Sequence, residues 1–468
     1  MERIESTGVW WLPGRDEDQL GGSFKFEPGE GATVDLIGSF DEPVAVPSVD
    51  ASDDDRLAAP VETGSHAEVG GVLPIVLGVI QGHLVTLVDA TRFEAGFSVP
   101  GHSTERLRPY CTLIGGHLVN GLDTPVPGAR ISVETLARWY DAWIVADPSR
   151  QPGSMRTEGD RTELVWHIPD AVEGRLSDGT MVRIDMHSGR RCGWREARLS
   201  LEPYLSIEFA SPVTIRQVVT EFVTPLQHLL TLVSSAPASP DAVRVRWGRE
   251  HVQVLYTAKE VRSGRQLHPY EFSVSLDEFD FATTIGKWFD LWRRVRVPIS
   301  ILAGNWQASG LYGETRVVNA TAAAEGLHSV LIGDDRVDPP PGALADFVAA
   351  FPEDEQHLVR LRLDAYLNKP SARERIKALT ERAGELFTDV VPKPSRWIDA
   401  VLEARNDFAH GAALNYSGPR LFALAESLGY LLECVLLLEL ELAPDVLARR
   451  RAGTPRHRWV RQLIEDHL

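Results

Sequence analysis

An arginine, an asparagine and a histidine stand close together late in the chain, in Arg405-Asn406-Asp407-Phe408-Ala409-His410, with Gly411 directly after the histidine. These are the groups that RNA cleavage without a metal requires. One group must take the proton from a 2′-hydroxyl, one must protonate the departing 5′-oxygen, and a cation must meet the charge that develops on the phosphate. Histidine, with an unperturbed pKa of about 6.5, can fill either proton-transfer role near neutrality. Arginine offers a permanently charged planar fork that matches two phosphate oxygens, which lysine does not. The same residues also have a plainer reading, in which Arg405 pairs with Glu403 or Asp407 on a solvated face and His410 compensates the dipole at a helix C-terminus.

The element that must position them is a helix over 395–411, with Ser395 as its cap after Pro394 and Gly411 as its stop. On a helix of 3.6 residues per turn Asn406 and His410 share a face, whereas Arg405 and His410 point about 140° apart. Convergence on one phosphate then needs a loosened helix at Gly411, an Arg405 that reaches around, or two copies of the motif facing each other across a two-fold axis. Amphipathic patterns over 316–332, 342–351, 353–368, 371–389 and 419–442, followed by a charged tail, predict further helices. The pattern over 419–442 is apolar nearly all round from Leu431 to Leu438, so it should be the central helix of a bundle.

Before about residue 315 the signals are mainly those of strands. Runs at 23–26, 33–37, 73–80, 84–88, 111–114 and 117–119, and then at 161–168, 181–186, 198–209, 243–254 and 270–275, are β-branched, apolar or alternating. Gln81-Gly82 and Gly115-Gly116 sit where tight hairpins are expected. Two helices interrupt the strands, one at 133–145 with an aromatic stripe and one at 213–233 whose Pro225 predicts a kink. The acidic, aperiodic stretch from Asp41 to Ala67 reads as a long exposed loop. The expected fold class is α+β: a β-rich region over 1–315, with a subdivision near 150–160, and an all-α bundle over 316–468.

The chain has 468 residues and a formal net charge of −18, of which −12 falls in residues 1–70. That balance argues against indiscriminate binding of nucleic acid or anionic membrane, so an anionic partner is expected towards the C-terminus. Cys111, Cys192 and Cys434 are too scattered for a disulfide framework or a thiolate metal site, which suits a reducing cytosol. The charged amino terminus lacks a secretory pattern, and Glu433, Glu439 and Glu441 interrupt the longest apolar stretch, so no membrane association is expected. No P-loop, dinucleotide fingerprint, HExxH or GxSxG is present, and neither metal nor cofactor is expected.

Arg405, Asn406 and His410, on the penultimate long helix of a C-terminal bundle, resemble the R-N-x-x-x-H motif of HEPN ribonuclease domains. The segment ATAAAEGLHSVL, with Glu325 and His328, looks like the opening HEPN helix with its acidic residue. Upstream, GGSFKFEPGEGATVDLIGSF, GVLPIVLGVIQGHLVTLVDA and VETLARWYDAW look like the N-terminal domain of ApeA-type anti-phage defence proteins. The resemblance implies RNA cleavage, with tRNA among the substrates, and growth arrest during infection. It also implies a homodimer or higher oligomer through the bundle and a phage-derived trigger. A module without catalysis, serving as a dimerisation or partner-binding bundle beside a ligand-sensing N-terminal domain, is the alternative. Expected RNA contacts are Lys393, Arg396, Arg373 and a base-stacking Trp397, with Arg360, Arg362, Arg375, Lys377 and the six arginines of 449–461 as further candidates.

Overall fold

The computed structural model describes residues 3–40, 71–97, 103–150, 153–159, 161–166, 169–193, 197–256, 267–308, 310–333, 342–366, 370–409 and 416–468. Two compact units divide the chain: a β unit of Met1–Ala137, Pro152–Gln227 and Ala238–Arg262, and a helical unit of Arg138–Gln151, His228–Pro237 and Ser263–Leu468. A β-rich N-terminal region followed by a helical C-terminal region is therefore the architecture. The helical unit takes in helices that precede residue 315, so it begins well before that point. The expected loop at 41–67 lies outside the described residues.

The β unit contains β1 (Ile4–Trp11), β2 (Leu20–Glu27), β3 (Gly31–Ile37), β4 (Val72–Ile80), β5 (His83–Phe97), β6 (Ser103–Ile114), β7 (Pro125–Val133), β8 (Gly153–Glu158), β9 (Arg161–Trp166), β10 (Val172–Arg175), β11 (Met181–Cys192), β12 (Ala197–Thr214), β13 (Pro240–Trp247) and β14 (Glu250–Tyr256). Twelve of them form one sheet in the order β10-β11-β12-β7-β13-β14-β6-β3-β2-β1-β4-β5, and an added β5–β6 pairing closes β1 to β6 into a barrel. Closure removes the open edges of that half. Its interior is Trp10, Phe24, Phe26, Val34, Leu36, Val76, Val85, Leu87 and Leu107, drawn from alternate positions of each strand. Gly78 must be glycine because a Cβ there would stand 2.3 Å from the Trp10 ring.

Gln81-Gly82 makes the expected β4–β5 hairpin, both residues at positive φ. Gly115-Gly116 does not: β6 ends there, and 117–119 form no strand, the chain instead passing through a 3₁₀ turn at Gly121–Asp123 into β7. The helix around Pro225 starts as α2 (Ile215–Gln217), runs as a π-helix over Val218–Val223 and continues as α3 (Thr224–Ser234). The wider turn accommodates the proline, which has no N–H to give, and Thr224 N–H bonds Val219 O.

The helical unit comprises most of α1 (Glu134–Ala146) and of α3, then α4 (Leu276–Phe279), α5 (Phe281–Arg294), α6 (Arg296–Gln307), α7 (Gly313–Leu331), α8 (Ala343–Ala349), α9 (Glu353–Tyr366), α10 (Ala372–Ala383), α11 (Glu385–Thr388), α12 (Pro394–Ala409), α13 (Gly418–Glu439), α14 (Pro444–Ala452) and α15 (Pro455–His467). The strand expected at 270–275 is instead a 3₁₀ turn at Pro269–Glu271 and irregular chain, to which α1 is tied by Trp139 Nε1–H donating to Val274 O at 2.9 Å. The aromatic stripe of α1 is thus a packing face, with the Trp139 ring set edge-on to Phe279.

Helix α13 is the core. Leu421, Leu424, Leu428 and the run from Tyr430 to Leu437 are buried, and α7, α10, α11, α12 and α15 pack around them. By length and composition α13 is long and apolar enough to cross a membrane, yet most of its apolar surface is covered inside this bundle. Helix α7 presents Val317, Ala320, Ala323, Ala324 and Leu327 to the interior, small residues that let α6 and α13 approach.

His228 is buried, and its Nδ1 accepts the indole N–H of Trp292 at 3.1 Å, so that nitrogen must carry no proton. Burial holds its pKa down at about 4. Because the folded value lies below the unfolded one, stability is full above about pH 6.5 and is lost as pH falls towards 4. We expect urea unfolding to show the helical unit weaker by on the order of 3 kcal/mol at pH 4 than at pH 7 through this group. In His228→Asn that pH-dependent part should be absent; an unchanged slope would refute the assignment.

Candidate active site

Helix α12 begins at Pro394, one residue before the expected cap. Proline suits a first helical position, and Trp397 N–H bonds Lys393 O, which makes Lys393 the capping residue. Trp397, Ile398, Val401 and Ala404 form its buried stripe against α7, α10 and α13. Arg405 follows the stripe and so emerges at its edge, half-buried, while Asn406 is exposed. Arg405 Nη2 lies 3.5 Å from Glu325 Oε1 on α7, and its Nη1 donates to Asn406 Oδ1 at 3.1 Å. The helix thus brings Arg405, Asn406 and Glu325 together. His410 and Gly411 lie outside the described residues.

Glu403 and Asp407, the partners of the plainer reading, leave Arg405 to Glu325. They sit instead near Tyr416, whose hydroxyl is pushed up to about 12 by burial and then by these two carboxylates, with Arg420 opposing. The Arg420 guanidinium lies 5.1 Å from the Tyr416 ring centre. This Tyr–Arg pair, four residues apart at the start of α13, was not among the sequence candidates; its spacing was the available signal. Arg375, a candidate for RNA contact, is buried and serves the bundle: its Nη1 donates to Glu325 O at 3.2 Å and its Nε to Pro370 O at 3.0 Å. It therefore fixes the turn of α7 that carries Glu325. His328, one turn on, is also buried.

Lys393 at the cap and Arg396 on the first turn of α12 are exposed, about 18 and 13 Å along the axis from Arg405. Arg373 is exposed but ion-paired with Asp399 of α12, and Lys377 pairs with Glu381. Arg360 and Arg362 are exposed on α9. Base stacking by Trp397 is overturned. Only 3% of the residue is exposed, its indole N–H donates to Ser427 Oγ at 2.8 Å, and its ring meets Phe387 edge-on. The tail also has other work. Arg451 and Arg456 hold the buried carboxylate of Glu433 at 3.0 and 3.1 Å, Arg450 faces Glu278, and Arg461 pairs with Glu465. Arg449 and Arg458 remain exposed. Among the described residues no group of three His, Cys, Asp or Glu side chains is placed to hold a metal ion.

A β unit with a closed barrel, and a helical unit that sets an Arg-Asn pair against a glutamate of the neighbouring helix, define a two-part HEPN protein. The family model of the Apea-like HEPN domain matches residues 318–446, which include Glu325, Arg405 and Asn406. That of ApeA N-terminal domain 1 matches residues 5–288, more than half of the chain. The chain belongs to the ApeA family of anti-phage defence HEPN proteins. No curated protein and no solved structure matches it.

Proposed function

We propose that the chain is a metal-independent endoribonuclease of anti-phage defence that cuts tRNA or other structured RNA through Arg405, Asn406 and His410. The observation that carries this reading is the setting of Arg405. Its partner Glu325 lies at 3.5 Å, and the two side chains are 38% and 30% exposed. An ion pair this exposed contributes at most about 1 kcal/mol, so it orients the guanidinium without withholding it from a phosphate. A dianionic phosphorane is the stronger partner for that planar fork.

In the reaction the 2′-oxygen attacks the adjacent phosphorus and the bond from phosphorus to the 5′-oxygen breaks. One histidine takes the 2′-hydroxyl proton and another returns a proton to the leaving 5′-oxygen. The two histidines are His410 of two copies packed about a two-fold axis, which also answers the splay that helical spacing predicts for Arg405 and His410. Asn406 orients His410 or binds the scissile phosphate, and Glu325 holds Arg405 in line. The β unit regulates the bundle in answer to a phage-derived trigger, in the cytoplasm. Cleavage of tRNA by the full chain is expected to persist in excess EDTA and to leave 2′,3′-cyclic phosphate and 5′-hydroxyl ends. A strict magnesium requirement with 3′-hydroxyl ends would overturn the mechanism.

A further inference from the structure

The outer face of β7, β13 and β14 carries a positive charge that the sheet itself does not neutralise. In register, Arg130 of β7 stands directly opposite Arg244 of β13, and Arg246 of β13 opposite His251 of β14. All three arginines are exposed, while the alternating residues Ile131, Val243, Val245 and Val252 are buried beneath them. Like charges directly opposed across strands destabilise a sheet. No carboxylate among the described residues makes an ion pair with these three arginines. Glu208, on the same face, is taken by Arg183 at 2.9 Å. In a chain of net charge −18 such a cluster is an exception, and its mutual repulsion is relieved by an anionic partner.

An aromatic ring stands beside the cluster. The Arg130 guanidinium lies 5.4 Å from the Tyr204 ring centre on β12. Trp247, next after Arg246, falls by the alternation of β13 on the opposite face, with Val243 and Val245. Arg246 reaches back over Gly128 of β7, its Nη2 3.6 Å from where a Cβ would be. The pKa of His251 is held below its ordinary value by partial burial first and then by Arg130, Arg246 and Arg244, while Glu250 opposes. The result is a row of cations along a pleated surface with an aromatic ring beside it. Single-stranded nucleic acid asks for this arrangement: cations for the backbone and sequence-tolerant π-faces for bases.

We propose that this face of the β unit docks a single-stranded stretch of RNA, with Arg130, Arg244 and Arg246 on phosphates and Tyr204 beside a base. The proposal rests on the reading of the chain as acting on RNA and adds to it a substrate-holding surface remote in sequence from Arg405. An anionic membrane would use the cations but has no use for a ring that stacks a base.

The test uses the full chain and a fluorescein-labelled 2′-O-methyl RNA of roughly 20 nucleotides, which lacks the attacking 2′-hydroxyl and so reports binding without cleavage. Anisotropy is measured between about 50 and 200 mM KCl. In the triple variant Arg130→Glu/Arg244→Glu/Arg246→Glu we expect affinity to fall at least about tenfold and the logarithmic salt slope to shrink by about 2, at roughly 0.7 per lost phosphate contact. The Arg→Gln triple variant should lose less affinity and melt no lower than the parent, since it removes repulsion and no ion pair. Parental affinity and salt slope in both variants would overturn the proposal, as would binding of phosphatidylserine vesicles in place of RNA. Cleavage of unmodified RNA by the parent is read separately, so a failure of the catalytic reading and a failure of the docking surface give different results.

Discussion

His410→Ala and Arg405→Ala should each lower RNA cleavage by at least about a hundredfold, the typical size of a general acid–base or charge-stabilising contribution. Folding should survive the arginine change, because the Arg405–Glu325 contact is partly exposed and holds little energy. The two-fold reading adds a mixed-subunit result. When Arg405→Ala and His410→Ala chains are combined, a dimer of one of each retains at most one complete set of groups, so activity falls well below parental without vanishing. Parental cleavage by His410→Ala protein whose circular dichroism is unchanged would end the assignment. A strictly monomeric enzyme at full specific activity in sedimentation would end the composite site alone.

Glu433→Ala should be the most damaging single change to stability, by about 3–5 kcal/mol, because it strips the shared carboxylate from two guanidiniums. Glu433 is fully buried in α13. Arg451, 1% exposed, donates to it from α14 at 3.0 Å, and Arg456 from α15 at 3.1 Å. Arg451 also donates to Tyr430 Oη at 3.2 Å and stacks on that ring, and Tyr430 in turn meets His457 Nδ1 at 2.8 Å. Urea unfolding of the full chain measures the loss. Replacing Glu433 and Arg451 together by leucine and methionine should recover part of it, since a paired apolar exchange leaves fewer stranded charges. A Glu433→Ala midpoint within the range of surface substitutions would refute the network's role.

The fold was legible where the signal is local. The apolar stripe of α12, the nearly all-apolar α13 and the Gln81-Gly82 hairpin each follow from a period or a turn chemistry within a few residues. Helix α5 was equally available, since Phe281, Ile285, Trp288, Phe289 and Trp292 share one face. Its aromatic residues and the strand-rich stretch before it hid that period. The run at 270–275 alternates as a strand does but finds no strand to pair with, and pairing is not a local property.

The candidate site divides along the same line. Residue type and spacing by themselves determined the chemistry expected of Arg405, Asn406 and His410, and the helix that carries Arg405 and Asn406, because fork geometry and helical period belong to the segment. Availability was decided only by tertiary structure. Arg405 meets Glu325 across 80 residues, Trp397 is closed off by Ser427 across 30, and Arg451 is drawn to Glu433 and, across 178 residues, to Ser273. Sequence therefore showed a basic tail where the fold holds a buried ion network. It showed nothing of the β7–β13–β14 face, whose opposed arginines come from strands more than a hundred residues apart. Charge is carried by a residue, but whether that charge faces water, a partner or another like charge depends on which distant segment packs beside it.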